Sequence, residues 1–476
     1  MALVDHVGRA ALAEPAPRHV RAVVVVAIGY AVLVAVAALA PARPLGHDEA
    51  VYALGARALV DDGGAALPLH RSIGMAAVTA PGALVGDSEL ALRVPFALIG
   101  FAYLALVGAF ARRHFGAAAA ALAIAVQVTN PEFTWRSAEA LSDVPSALCL
   151  LGLVAALASE RPRWYLAGPL AAAACYVRYA SAPTVAVIFA GAWLLLPTAR
   201  KAIVQAAACA AALLVPFLVW SHATTGSALG VLREGERRAG RAYAGQGLWF
   251  YLRAWPVRLA GPVAGGVAAL GLVVGAASWR RPCDHAARVR RLLLVAAVGQ
   301  IALLGWRVHG EARFITFALT ALVLVGASWL AAAAARWRIA VAFTACLAVP
   351  MAAWTLIRLD RLAAARAPAV AAARAIGRDR GGDPCVVYTT EAPMVAWYSG
   401  CRAVPVDGWG VDPRLAAGAA RVYLLDADGL RFPLPAARAD DAFGWQPLPS
   451  PRQDARLWRA IASARPAPGP AASAAR

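Results

Sequence analysis

This chain of 476 residues predicts a polytopic α-helical membrane bundle with a small α/β domain near its C-terminal end. Three observations carry that fold class. Hydrophobic residues make up 61% of the sequence and charged residues 15%, with a mean hydropathy of +0.60, which is too apolar for a soluble globule of this length. The apolar residues come in runs long enough to cross a hydrocarbon core of about 30 Å, which takes about 20 residues per helix, and short charged breaks separate the runs. From about Gly377 the pattern turns to short strand-like and polar segments.

The formal charge of +19 and a pI near 10.6 would suggest nucleic acid in a soluble protein. Here the arginines gather at the ends of apolar runs, the positive-inside pattern, so the expected partner is the membrane and not nucleic acid. Lys201 is the sole lysine. Arginine abundance is therefore partly a compositional bias, and a single arginine says little about phosphate recognition.

The first run, about 22–40, follows Arg18 and Arg21 and is long for a signal-peptide core, so it reads as a retained anchor with residues 1–18 in the cytoplasm. Further spans are expected at about 94–111, 117–131, 144–159, 164–180, 182–198, 202–221, 257–278, 291–308, 314–335 and 338–357, or about eleven crossings in all. Arg112 and Arg113, Arg161 and Arg163, Arg200 and Lys201, the run 280–291, and Arg336 with Arg338 then share the cytoplasmic side. The remaining breaks face outward: His47 to Glu49, NPEFTWRSAEALSD, the stretch 222–258, and HGEAR from His309 to Arg313. The membrane domain is placed at 19–359, with outer loops at about 43–92 and 222–258.

An odd number of crossings puts the C-terminal part outside as well. CVVYTT, EAPMVAWYSG, CRAVPV and RVYLLDADG read as strand, short helix, strand and strand, giving an extracytoplasmic α/β domain over 360–464 before a disordered Pro/Ala/Ser-rich tail, 465–476. Cys385 and Cys401 lie in neighbouring strands there, and an oxidising compartment lets them pair. Cys149, Cys175, Cys209 and Cys346 fall inside spans, where cysteine ordinarily packs as a small apolar residue. No Cys/His spacing suits a metal site.

Candidate chemistry centres on GHDEAVYALGARALVDDG, which sets Asp48 and Glu49 side by side where the first span meets water. A carboxylate pair at that depth is either a solvated loop or part of a site facing a cavity. Val51, Leu54, Ala58 and Leu59 follow at helical spacing, suiting a helix along the interface. Other outer carboxylates are Glu132, Glu139, Asp143 and Glu311. Each alone is an ordinary loop residue, but hairpins between spans can bring them together. Between Leu232 and Trp255, arginines precede Trp249, Phe250 and Tyr251, as an interfacial anchor or an anionic-headgroup site would require.

GHDEAVYALGARALVDDG, LRVPFALIGFAYLALVGAFARRHFG and TNPEFTWRSAEALSDVPSALCLLGL, in that order, resemble the start of the GT-C membrane glycosyltransferases, the group of protein O-mannosyltransferases and the bacterial aminoarabinose transferase. The resemblance covers roughly the first 200 residues. ARFITFALTALVLVGAS, around Arg313, is similar to a later span of that group but lacks its two prolines. The resemblance implies sugar transfer from a polyprenyl-phosphate donor to a hydroxyl of a lipid, glycan or protein acceptor, with inversion, on the outer face of a bacterial inner membrane. Asp48 matches the catalytic base, with Glu49 orienting it or binding a hydroxyl and His47 beside them. Glu139 and Asp143 match a second acidic position that orients sugar or acceptor. Arg136, Arg178, Arg307 and Arg313 are candidates to stabilise the leaving phosphate, Arg313 being favoured by the motif. Oxygen ligands are present for a divalent cation, so metal-assisted and metal-free transfer both stay open here. A transporter or flippase of a lipid-linked saccharide and a non-catalytic assembly subunit are the competing readings. The first of these ordinarily shows internal repeats, which this sequence lacks.

Overall fold

A computed structural model describes residues 43–60, 71–86, 88–237, 243–280, 284–333, 337–405, 419–426, 444–449 and 456–461, with scattered positions of the first apolar run. The chain divides into two compact units, one of residues 1–42 and 55–359 and the other of 43–54 and 360–476.

The first unit is helical. Helix α1 (His47–Val60) gives it its second half, and it continues through α2 (Ile73–Val85), α3 (Glu89–Phe115), α4 (Ala117–Val128), α5 (Pro131–Ser137), α6 (Asp143–Leu157), α7 (Trp164–Val177), α8 (Ala182–Leu195) and α9 (Arg200–Thr225). It then runs through α10 (Gly230–Arg237), α11 (Gln246–Ala254), α12 (Val257–Ala277), α13 (His285–Arg307), α14 (Thr316–Ala333) and the start of α15 (Trp337–Asp379). Among the described residues, five helical segments are long and apolar enough to cross a membrane: Glu89–Phe115, Pro197–Thr225, Val257–Ala277, His285–Arg307 and Ala312–Ala332. The others expected as spans are shorter apolar helices, Ala117–Val128, Asp143–Leu157, Trp164–Val177 and Tyr179–Leu195 among them. The expected count of about eleven is thus not confirmed, and the first expected span, about 22–40, lies largely outside the described residues. The expected outer loops are themselves partly helical, holding α1, α2, α10 and α11.

Helix α14 lies at the centre of this unit, packed on α3, α4, α6, α12 and α13. Phe317, Leu319, Leu322, Val323, Leu324 and Val325 are all buried, so its apolar residues have no polar face to separate them. Its buried polar groups are partnered: Thr320 Oγ1 donates to the Gln127 side chain of α4, and Gln300 of α13 accepts from the Ala318 amide at 2.9 Å. Against α12 the backbones come close, because a Cβ on Gly271 would strike the Leu322 carbonyl and one on Gly326 the Val267 carbonyl.

The breaks between helices are specified locally. Asn130 caps α5 by accepting from the amides of Glu132 and Phe133, with Pro131 at the first helical position. Asp284 caps α13 through the Ala287 amide at 2.6 Å. Between α7 and the 3-10 turn Tyr179–Ser181, Arg178 is extended (φ −151°, ψ 108°).

The second unit begins with residues 43–54, ahead of the expected start at 360. The end of α15 leads into β1 (Cys385–Thr389), α16 (Ala392–Ser399), β2 (Arg402–Pro405), β3 (Arg421–Asp426), β4 (Gly444–Leu448) and β5 (Arg456–Ile461). The sheet order is β2-β1-β3-β5-β4, with β1 parallel to both β2 and β3, and β5 antiparallel to β3 and β4. Gly400, in the left-handed region at φ 67°, ends α16 and turns the chain into β2. Val387, Val395, Tyr423, Leu425 and Leu457 form the core with Ala372, Ala373 and Ile376 of α15. Cys385 and Cys401 are disulfide-bonded, as expected. Asp379, at the end of α15, accepts from the Tyr423 hydroxyl at 2.6 Å and faces Arg459 and Arg421. That hydrogen bond and those cations hold its carboxyl below the usual range.

Candidate active site

Two clusters contain the residues singled out by sequence, one in each unit.

In the first unit, the break after α7 aims Arg178 at Asp143, the first residue of α6, and the two form an ion pair. The Arg178 guanidinium also lies over the Phe314 ring, 4.7 Å from its centroid. Arg313, from the 3-10 turn Ala312–Ile315, lies over the same ring at 5.4 Å and is ion-paired with Glu311. His309 completes this corner, its Nε2 being 2.8 Å from Glu311 and its ring edge-on to Phe314. Burial pushes the Glu311 carboxyl up, but the His309 hydrogen bond and the Arg313 charge outweigh it and bring the group down to about 2. Tyr251 of α11 is buried within electrostatic reach of Arg178, Glu311 and Asp143, and burial raises its hydroxyl above the ordinary tyrosine range.

Beside this corner, α5 packs on the 3-10 turn that carries Arg313. Arg136 donates to Glu139 at 2.7 Å, faces Glu132 at 3.4 Å and lies over the Trp135 ring at 3.8 Å. Arg358 of α15 also reaches Glu132 and the same indole ring, at 4.1 Å from its centroid. Arg307 is more exposed, and it pairs with Glu236 of α10 at 2.6 Å.

In the second unit, Asp48 and Glu49 occupy the first turn of α1, where the helix dipole favours negative charge. Their environments differ. Glu49 is buried, accepts from the Gly46 amide at 2.8 Å and stands 4.0 Å from Arg366 of α15. Asp48 is half-buried, and His47 is exposed with its Nδ1 3.4 Å from Glu391 at the end of β1. The Leu45 amide donates to the Tyr398 hydroxyl at 2.9 Å, which fixes the strand of chain entering α1.

The structure therefore joins Asp143 to Arg178, Arg178 to Arg313 through Phe314, and Arg136 to Glu139. Phe314, Trp135, Arg358 and Glu391 were not singled out as site residues by sequence, and Tyr251 only as part of the aromatic-basic stretch before Trp255. Phe314 directly follows the favoured arginine, and that adjacency was the one available signal for it. Among the described residues no three His, Cys, Asp or Glu side chains gather as metal ligands. Glu132, Glu139, Asp143 and Glu311 face arginines, and no step is routed through a cation.

Residues 73–220 match the dolichyl-phosphate-mannose-protein mannosyltransferase family, a segment that includes Arg136, Glu139, Asp143 and Arg178 but neither Asp48 nor Arg313. Comparison with curated proteins finds no match. The fold is similar to that of ArnT from Cupriavidus metallidurans in the apo state (TM-score 0.69) and bound to undecaprenyl phosphate (TM-score 0.70), each 16% identical over 92% of this chain and 98% of that one. The Archaeoglobus fulgidus oligosaccharyltransferase, solved with Zn and sulfate, is similar with a TM-score of 0.56 and 14% identity over 84% of this chain and 68% of that one. The family match thus covers one segment of the chain, residues 73–220, and the likeness to ArnT and to the oligosaccharyltransferase is one of fold.

Proposed function

We propose that the protein transfers a sugar from a polyprenyl-phosphate donor to an acceptor hydroxyl on the outer face of a bacterial plasma membrane, inverting the anomeric carbon. The observation that carries this reading is the pair of guanidiniums, Arg178 and Arg313, on the one Phe314 ring, each held by its own carboxylate. Likeness in fold to a protein solved with undecaprenyl phosphate supports the choice of donor.

The proposed chemistry follows from charge. The donor is a phosphodiester, and when its bond to the anomeric carbon breaks the leaving polyprenyl phosphate gains a negative charge. A fixed pair of guanidiniums stabilises that charge as it develops. The attacking hydroxyl loses its proton to Asp48, the half-buried carboxylate of the α1 turn. Glu49, fixed by Gly46 and Arg366, orients that turn. Asp143 and Glu311 orient the two arginines, while Arg136 with Glu139 is assigned to the sugar. Arg307, paired with Glu236, is assigned to the donor as well. A transporter would leave the donor bond intact, and the mannosyltransferase family segment favours bond cleavage over translocation.

The test is incubation of the purified protein with a panel of polyprenyl-phosphate sugars. Release of polyprenyl phosphate with the transferred sugar inverted is the expected result. Retention of configuration, or no release from any donor, overturns the proposal.

A further inference from the structure

Glu391 lies at a position where parallel sheets bind ligands. Strand β1 is central to the parallel part of the sheet: the chain leaves it through α16 to β2 on one side, while β3 pairs on the other. Ligands of open sheets bind beyond the carboxyl ends of the strands where the connections part in this way. At that end of β1 stand Thr389, Thr390 and Glu391. Thr389 is fully buried and its Oγ1 accepts from the Glu391 amide at 3.3 Å, which fixes the Glu391 backbone. The Thr390 Oγ1 is buried with no hydrogen-bond partner among the described residues. The Glu391 side chain is 34% exposed and that of His47, 3.4 Å away, 47% exposed, so both keep hydrogen-bonding capacity toward solvent. His47 immediately precedes Asp48.

We propose that Glu391, together with His47, selects the acceptor by binding hydroxyls of a neutral saccharide next to Asp48. The inference rests on Asp48 being the base of the proposed transfer. A carboxylate accepts from two hydroxyls at once, and an imidazole beside it can donate or accept, a combination suited to the neighbouring hydroxyls of a sugar. Charge argues against anionic acceptors: Glu391 is itself a carboxylate, 3.4 Å from His47, and Arg366 faces Glu49. A carboxylate- or phosphate-bearing group brought to Glu391 would meet like charge, which is how a site rejects a competitor.

The test uses the full chain in lipid nanodiscs, probed on an array of neutral, amino and acidic glycans. The wild-type protein should retain neutral glycans and reject acidic ones. Glu391→Gln should weaken neutral-glycan retention about tenfold, the scale of one hydrogen bond to a charged group. Glu391→Lys, by reversing the charge, should shift the preference toward acidic glycans, a change that a purely structural role would not produce. Retention of no glycan by the wild type, or the same profile in all three proteins, overturns the inference. Wild-type release of polyprenyl phosphate from the donor panel is scored separately, so failure there removes the transfer reading while the array decides on Glu391.

Discussion

Arg178 and Arg313 come from places in the chain more than a hundred residues apart and meet at one aromatic ring, where each is held by a carboxylate. Replacing either with lysine keeps the charge and loses the fork, so Arg313→Lys and Arg178→Lys should each raise the donor KM by about tenfold or more while changing the acceptor KM little. Initial-rate kinetics with both substrates varied checks this, and unchanged donor dependence in both variants would place the phosphate elsewhere. The Glu311 pairing has its own pH signature. Its carboxyl falls from an ordinary value of 4.5 to about 2, so the unfolded chain takes up the proton first as pH drops. The stabilisation is complete above about 4.5 and is lost progressively toward about 2. The difference in thermal midpoint between wild type and Glu311→Gln should therefore shrink as pH falls below about 4.5. At this scale the sequence displayed the charged residues and their places at helix ends, because burying them in lipid is costly and breaks are where they fit. It did not display the partnerships. Nothing in the spacing of Asp143 and Arg178, or of His47 and Glu391, says that they meet, since the packing of helices or of a sheet decides that.

Helix α12 and helix α14 pack closely in the membrane unit, and glycine permits it at Gly271 and Gly326. Gly271→Val forces backbones apart and should cost about 1–3 kcal/mol, seen as a lower unfolding temperature in detergent. Gly266→Ala, in the same helix but with nothing within 4 Å of the added carbon, should not. An equal effect of the two would remove the contact from the account. Apolar runs separated by charged breaks made most of these helices legible in the sequence. What the runs did not convey was length: the segments between 117 and 195 are cut short by Thr129–Asn130, Arg178 and Leu196–Pro197, and a hydropathy run reads through such breaks. In the second unit β1, α16, β2 and β3 were legible as apolar β-rich or helical patterns. GWQPL and RLWRAI were not, because a proline and alternating arginines obscure strands that the sheet nonetheless pairs as β4 and β5.

At the level of the whole molecule, the account requires His47 to Glu49 to lie on the outer side of the membrane and the 280–291 run on the inner side, as the arginine bias predicts. In a background lacking the other free thiols, an impermeant thiol reagent applied to intact cells should label a cysteine placed at Ala65 and spare one at Ala286. The reverse pattern would put the Asp48 segment on the wrong side for an outward-facing acceptor. Composition alone already assigned the chain to the membrane, and three ordered segments of its first 200 residues resembled the group whose fold it has. What sequence could not convey is that residues 43–54 are part of the same compact unit as the C-terminal sheet, because that association spans more than three hundred residues. The central claim is that Asp48 is the base of a sugar transfer from a polyprenyl-phosphate donor. The most direct measurement is turnover of the best donor by Asp48→Asn, which keeps the side-chain volume and removes the proton acceptor. The account predicts a fall of about 10²–10⁴-fold in polyprenyl phosphate release with donor binding retained. Near-normal release by a folded Asp48→Asn protein would contradict it.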